Sequence, residues 1–235
     1  FNLNLSPEQQ ALQSQLLGGA GALAGNLGGS FDPIHFGHVK PSLQLAEKFH
    51  LQSIRLIPCK TSPFKDVTFA SAQHRWNMVS IIAGSSELFE ADARELERNT
   101  PSYTYDTLKE IAQEVSSDTT LFWIMGEDAL PDFPRWYQAE KIMQLCHVLV
   151  MRRPGYDASD AIETNPWFKT YICADKNKLE EKQCGYIYRT DVELFDISST
   201  QIRDTVHAGD QPRFLMPGGV WNYIKRNNLY QEKVN

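Results

Sequence analysis

No lysine or arginine occurs before Lys40. The mildly apolar stretch at 16–27 (LLGGAGALAGNL) therefore has no basic segment ahead of it, and a secretory signal is not expected. No apolar run reaches the roughly 18 residues of a membrane-spanning helix, so no membrane partner is expected. Cysteine is scarce. Cys59, Cys146, Cys173 and Cys184 stand far apart, with no C-x-x-C pair and no C-x-x-C…H-x-x-x-H pattern. A zinc site and a disulfide framework are both unexpected, and free thiols point to a reducing, cytoplasmic setting. Basic charge is in deficit: 23 Lys and Arg against 29 Asp and Glu leave a net charge of -6 and a pI near 5.5. That argues against a general nucleic-acid coat, which needs a net basic face. Repeats and low-complexity linkers are missing too. What is present is an ordinary globular composition, 42% hydrophobic and 22% charged, which excludes disordered, collagen-like and coiled-coil chains.

At 235 residues the chain has length for one large domain or two small ones, and one is the expectation. Short apolar runs alternate with longer helical stretches, the pattern of strand–helix units around a parallel sheet. Strands are expected at 22–27, 53–58, 88–92, 120–125, 148–152 and 185–189. Helices are expected at 37–50, 72–83, 105–115, 136–145, 199–207 and 217–227. The first strand is poor on propensity, with Gly25 and Asn26 inside it. The polar region 154–184 shows no clear elements. From Ile197 onward the chain reads as a helical appendage over the sheet edge. Residues 1–20 read as a helical extension: Ser6 caps, Pro7 fits the first turn, Gln9 completes a capping box, and the helix runs to about Leu17. Residues 21–235 then form one domain. No oligomeric state is implied.

The densest chemistry lies in Gly28-Gly29-Ser30-Phe31-Asp32-Pro33-Ile34-His35-Phe36-Gly37-His38, between a strand and a helix. Ligands of open α/β sheets bind at the carboxyl ends of strands. Two glycines let a backbone approach a phosphate, and a helix N-terminus attracts anions. His35 and His38 would lie on one side of the turn and donate hydrogen bonds to phosphate oxygens as charge builds. Taken singly, a Gly-Gly is a turn and a lone His is an ordinary surface or core residue. A metal role for the pair would need a third ligand, and none stands at suitable spacing.

A second cluster, Ile197-Ser198-Ser199-Thr200-Gln201-Ile202-Arg203, opens a helix. Its hydroxyls cap the helix on the plain reading. With free amides and an arginine one turn on, they also make a polyphosphate cradle. Three further segments stand out. Pro101-Ser102-Tyr103-Thr104-Tyr105-Asp106-Thr107-Leu108 opens a helix with Ser102 as a cap. Trp123-Ile124-Met125-Gly126-Glu127-Asp128 is a strand ending in acids, which bind ribose or cap a helix. Trp136-Tyr137 starts a helix and is either core or a stacking platform.

The first string resembles the nucleotidylyltransferase signature G-G-[ST]-F-D-P-x-H-x-G-H, and the chain is similar to the bacterial nicotinate-nucleotide adenylyltransferases. The I-S-S-T-x-I-R, P-S-Y-T-x-D-T-L and G-x-D blocks and a closing P-x-x-V-x-x-Y-I…L-Y resemble theirs, in the same order. The resemblance implies an α/β, Rossmann-like, doubly wound, mainly parallel sheet with a C-terminal helical appendage. It implies adenylyl transfer from ATP, with Mg²⁺, to nicotinate mononucleotide, without a covalent intermediate. It puts His35 and His38 at the reacting phosphate. Ser199, Thr200 and Arg203 then hold the departing β,γ-phosphates. Gly29, Ser30, Phe31, Gly126, Asp128 and Arg153 complete the ATP side. Asp32, Lys65, Thr104, Trp136 and Tyr137 fall to the nicotinate nucleotide. Two departures bear on the pyridine pocket: Phe64 stands where the family often has His, and Leu194 where some members carry Trp. Nicotinamide mononucleotide or pantetheine phosphate as acceptor, and a nucleotide-binding module without turnover, are the alternatives.

Overall fold

The computed structural model describes residues 21–60 and 68–231. The expected N-terminal helix, together with Phe64 and Lys65, lies outside the described residues. Seven parallel strands form one sheet in the order β3-β2-β1-β4-β5-β7-β6. They are β1 (Leu23–Gly29), β2 (Ser53–Pro58), β3 (Phe89–Ala91), β4 (Thr120–Gly126), β5 (His147–Arg152), β6 (Ile172–Cys173) and β7 (Ile187–Glu193). The chain winds outward from β1 to β3, returns, and winds the other way from β4. The order reverses between β1 and β4, so their carboxyl ends open a crevice there. This is the Rossmann-like, doubly wound sheet expected.

The strands β2, β4 and β5 are buried on both faces, which is why they read as continuous apolar runs. Side-chain alternation divides β4 cleanly. Phe122 and Ile124 face one core, Leu121, Trp123 and Met125 the other. The first core packs under α1 (Phe36–Phe49) and α2 (Ala72–Ala83). The second lies beneath α4 (Thr104–Glu114), reached through the short α3 (Arg94–Glu97), and beneath α5 (Ala139–Ile142), followed by α6 (Ser159–Thr164) and α7 (Pro166–Tyr171). The closing helices α8 (Ser199–His207) and α9 (Gly218–Arg226) bring Ile202, Val220 and Ile224 into the first core. They thicken one face of the sheet.

The poor first strand forms because its neighbours demand small residues. A Cβ on Gly28 would stand 2.7 Å from the Trp123 ring. Asn26 is buried; its Nδ2 donates to Ala24 O at 3.3 Å and Phe122 O at 3.2 Å, while its Oδ1 finds no partner among the described residues. Two elements differ from the sequence reading. β6 is only two residues at the sheet edge, too short for any pattern to mark it. The helix expected at 136–145 is displaced. A 3-10 helix occupies Glu127–Arg135, Gln138 turns left-handed at φ 56°, and the α-helix is confined to Ala139–Ile142. Pro131 and Pro134 lack the N–H groups that a regular α-helix needs. Trp136 and Tyr137 therefore sit in the bend between the two.

Candidate active site

The chain leaves β1 through a tight turn in which Phe31 takes a left-handed φ of 47°. It enters α1 with His35 as N-cap. The Gly37 N–H donates to His35 Nδ1 at 3.1 Å, and the His35 N–H donates to His38 Nδ1 at 3.3 Å. Each Nδ1 is thus an acceptor, and in the neutral form of such a ring the proton sits on Nε2. The two rings lie 3.9 Å apart between centroids. Burial first, and then His38, pull the His35 pKa down to about 2, so His35 is neutral near pH 7. Gly37 makes the pairing possible: a Cβ there would stand 2.8 Å from the His35 ring and 2.9 Å from Ile197 O.

That Ile197 contact joins the two motifs. Ser198 caps α8 by accepting from the Gln201 N–H at 3.1 Å. Ser199 is thereby spared for another partner, and its hydroxyl donates to Pro33 O at 3.0 Å, 166 residues away in the chain. Arg203 donates to Asp32 O at 2.7 Å and to Thr200 Oγ1 at 3.1 Å, and its guanidinium lies 4.3 Å from the Phe69 ring centre. A cavity of about 510 Å³ opens between the motifs, lined by His35, His38, Ser199, Thr200, Arg203 and Arg153 among others. Arg153 pairs with Asp128 at 2.7 Å on its rim. A second cavity of about 690 Å³ adjoins it and shares Gly28, Ser30, Trp123, Asp128, Ala129 and Trp136 as a common wall.

The predicted residues sort between the two cavities, with some surprises. Gly126 lies on the first, Thr104 and Tyr137 on the second, Asp128, Ser30 and Trp136 on both. Tyr137 leans on Tyr103 at 4.7 Å, and Trp136 meets Phe133 edge-on at 5.1 Å. Gly29, expected on the ATP side, lines the second cavity. Phe31 is buried and lines neither, its ring meeting His38 edge-on at 5.1 Å. Asp32, expected on the pyridine side, borders the first cavity, and its carboxylate is spent internally. It accepts from Phe69 N at 2.6 Å, Ala70 N at 3.1 Å and the Tyr230 hydroxyl at 2.7 Å. Leu194, expected against the pyridine ring, also borders the first cavity. Ser102 does not cap α4. It borders the second cavity, and its Oγ accepts from Lys60 N at 3.1 Å.

Two polar residues are not marked by the sequence. Arg75 is 1% exposed inside α2 and donates to Ser30 O at 2.9 Å, Cys59 O at 2.5 Å and Lys60 O at 3.4 Å. It ties the turn after β1 to the end of β2. Glu95 is 3% exposed and lines the second cavity. No motif contains either one. A charged residue at a core-facing position of the helix pattern is the only available signal.

A family profile described as cytidylyltransferase-like matches residues 26–205. The chain belongs to this family. Within it, this cytidylyltransferase-like chain is similar to the probable nicotinate-nucleotide adenylyltransferase of Yersinia pestis (strain Pestoides F), at 38% identity over 205 residues, 87% of this chain and 93% of that one. The protein of the same name from Serratia proteamaculans (strain 568) matches at 38% identity, with the same shares covered. A solved structure, Plasmodium falciparum nicotinic acid mononucleotide adenylyltransferase complexed with NaAD, superposes with a TM-score of 0.64 at 21% identity, over 89% of this chain and 97% of that one. It shares the cytidylyltransferase-like fold seen here.

Proposed function

We infer that this chain is a nicotinate-nucleotide adenylyltransferase. It transfers the adenylyl group of ATP to nicotinate mononucleotide, giving nicotinate adenine dinucleotide and pyrophosphate, in NAD biosynthesis. One observation carries the reading. Two phosphate-handling turns, remote in sequence, are bonded to each other around a cavity that continues into a second, aromatic-walled one. Two joined cavities suit a reaction whose product is two joined nucleotides. Relatives at 38% identity bear the name of this activity.

The acceptor phosphate is already largely ionised at pH 7, with its second pKa at about 6, so no general base is required. The protein's task is alignment and charge stabilisation. His35 and His38 present Nε2–H donors at the α-phosphate and leaving oxygen. Ser199, Thr200 and Arg203 hold the β,γ-phosphates. Gly126, Asp128 and Arg153 serve the adenosine end. Thr104, Trp136 and Tyr137 serve the pyridine end, where the α4 start has no side-chain cap on its amides. Enzymes of this class work with a divalent ion on ATP, and we take it to be Mg²⁺. Among the described residues no three His, Cys, Asp or Glu side chains stand together to hold a metal. An ion carried on the phosphates and its own waters fits that donor set. It would supply neutralisation of the phosphate charge. Cys146, Cys173 and Cys184 are free thiols, which supports a reducing, cytoplasmic setting.

The test is pyrophosphate release with ATP and Mg²⁺, with nicotinate and nicotinamide mononucleotides compared side by side. Release with the acid form and little with the amide is expected. His35→Ala and His38→Ala are each expected to lower turnover by about 10²–10³ at unchanged fold. Release with neither nucleotide would sink the reading.

A further inference from the structure

Glu95 is a buried acid on the wall of the second cavity, and its role rests on that cavity being the pyridine-nucleotide pocket, as the proposed function has it. Its carboxylate accepts from the Thr107 hydroxyl at 2.6 Å, and the Ser102 side chain on the same wall also favours its charged form. Each hydroxyl also accepts from a donor of its own. Arg98 donates to Thr107 Oγ1 at 3.2 Å, and the Lys60 N–H donates to Ser102 Oγ at 3.1 Å. With a lone pair engaged, each hydroxyl keeps its proton for another acceptor, and for Thr107 that acceptor is Glu95.

Ser102 and Thr107 bracket the point where α4 begins. The N-cap, Tyr103, makes no side-chain capping bond, so the helix start is not fixed by its own sequence. Glu95 fixes it instead, reaching across from α3 to hold one residue before the cap and one in the first turn. The amides at the start of α4, which no side chain caps, are the anion-attracting feature beside Tyr103 and Thr104 on this wall.

We propose that Glu95 is a positioning residue for the carboxylate of the acceptor's pyridine ring: by clamping Ser102 and Thr107 it aims the start of α4 at that group and sets the preference for the acid over the amide nucleotide. A bare carboxylate on this wall would repel an anionic substrate. Two hydroxyl donors shield it, and burial raises its pKa against the pull of Thr107, Ser102 and Arg98, which reduces that repulsion.

Glu95→Gln tests this, because the amide keeps the shape but sets an N–H donor against a hydroxyl donor. The readouts are KM for each substrate and the ratio of kcat/KM for nicotinate over nicotinamide mononucleotide. The KM for nicotinate mononucleotide is expected to rise about tenfold, with the KM for ATP held within about twofold and the acid-over-amide ratio falling about tenfold. A folded Glu95→Gln protein with an unchanged ratio, or with both KM values raised alike, overturns the proposal. Should that variant fail to fold, Ser102→Ala severs one arm of the clamp. A fall of about threefold in the same ratio is then expected, and no change overturns the proposal. Wild-type protein that turns over neither nucleotide overturns the function itself, and this inference with it.

Discussion

His35 is a histidine that has given up its usual titration. Its ring is buried against His38, and its Nδ1 accepts from a backbone N–H, so the neutral form persists down to a pKa of about 2. A neutral ring with its proton on Nε2 is a hydrogen-bond donor that costs nothing to prepare at neutral pH. The same shift has a stability consequence. The unfolded side chain titrates near pH 6.5, so below that value the unfolded chain binds a proton that the folded chain does not. Stability from this residue is therefore present above pH 6.5 and is lost as pH falls, by about 1.4 kcal/mol per unit. His147 shifts in the same direction, chiefly through burial. Between pH 7 and pH 5 we expect His35→Gln to lose about 2 kcal/mol less than the wild type, read by urea unfolding at each pH. Parallel pH curves for the two proteins would contradict this.

At the scale of elements, the site depends on the ends of β1 and β2 staying in register beyond the last ladder bond. Arg75 supplies that tie from α2, with one guanidinium bonded to three carbonyl oxygens of two loops. A buried charge is tolerated here because it is hydrogen-bonded. Arg75→Met would keep the bulk and leave buried carbonyls without donors, each costing about 1–3 kcal/mol. We expect a loss of about 3 kcal/mol, which is about 6–12 °C in Tm for a chain of this size. Calorimetry checks it, and a Tm within about 2 °C of the wild type would show that other groups fix these loops.

Across the whole molecule, the C-terminal segment closes on the first turn. Tyr230 donates to Asp32 at 2.7 Å, while Asp32 also holds Phe69 and Ala70, and its own carbonyl holds Arg203. Tyr223 docks α9 on α2 through Asn77 at 2.7 Å and His74 at 2.8 Å. The tail thus braces the Asp32 turn, to which Arg203 is also bonded, from outside the first cavity. Removing one bond to a charged acceptor, as in Tyr230→Phe, should cost about 1.5–3 kcal/mol. We expect that loss in denaturant unfolding, together with a raised KM for ATP and little change in the KM for the acceptor nucleotide. Equal changes in both would place the brace elsewhere.

The two candidate phosphate-binding strings were legible in the amino-acid order because their parts are local. A turn that wraps phosphate uses consecutive backbone amides, small residues and a helix start, and Gly28 to His38 and Ile197 to Arg203 each hold these in one short string. Strands β2, β4 and β5 were legible for a similar reason, since burial on both faces leaves unbroken apolar runs. The roles of Asp32, Arg75, Glu95, Ser102 and Tyr230 were not legible, nor was the cavity that Gly29 or Leu194 faces. A polar side chain's partner is set by whichever segment packs against it, and here those segments lie tens to hundreds of residues away. Sequence alone determined that two short strings carry residue types suited to phosphate. Tertiary packing decided which charges are buried, which hydroxyls point where, and which wall each ring meets, because those depend on the order in which parallel strands are laid side by side.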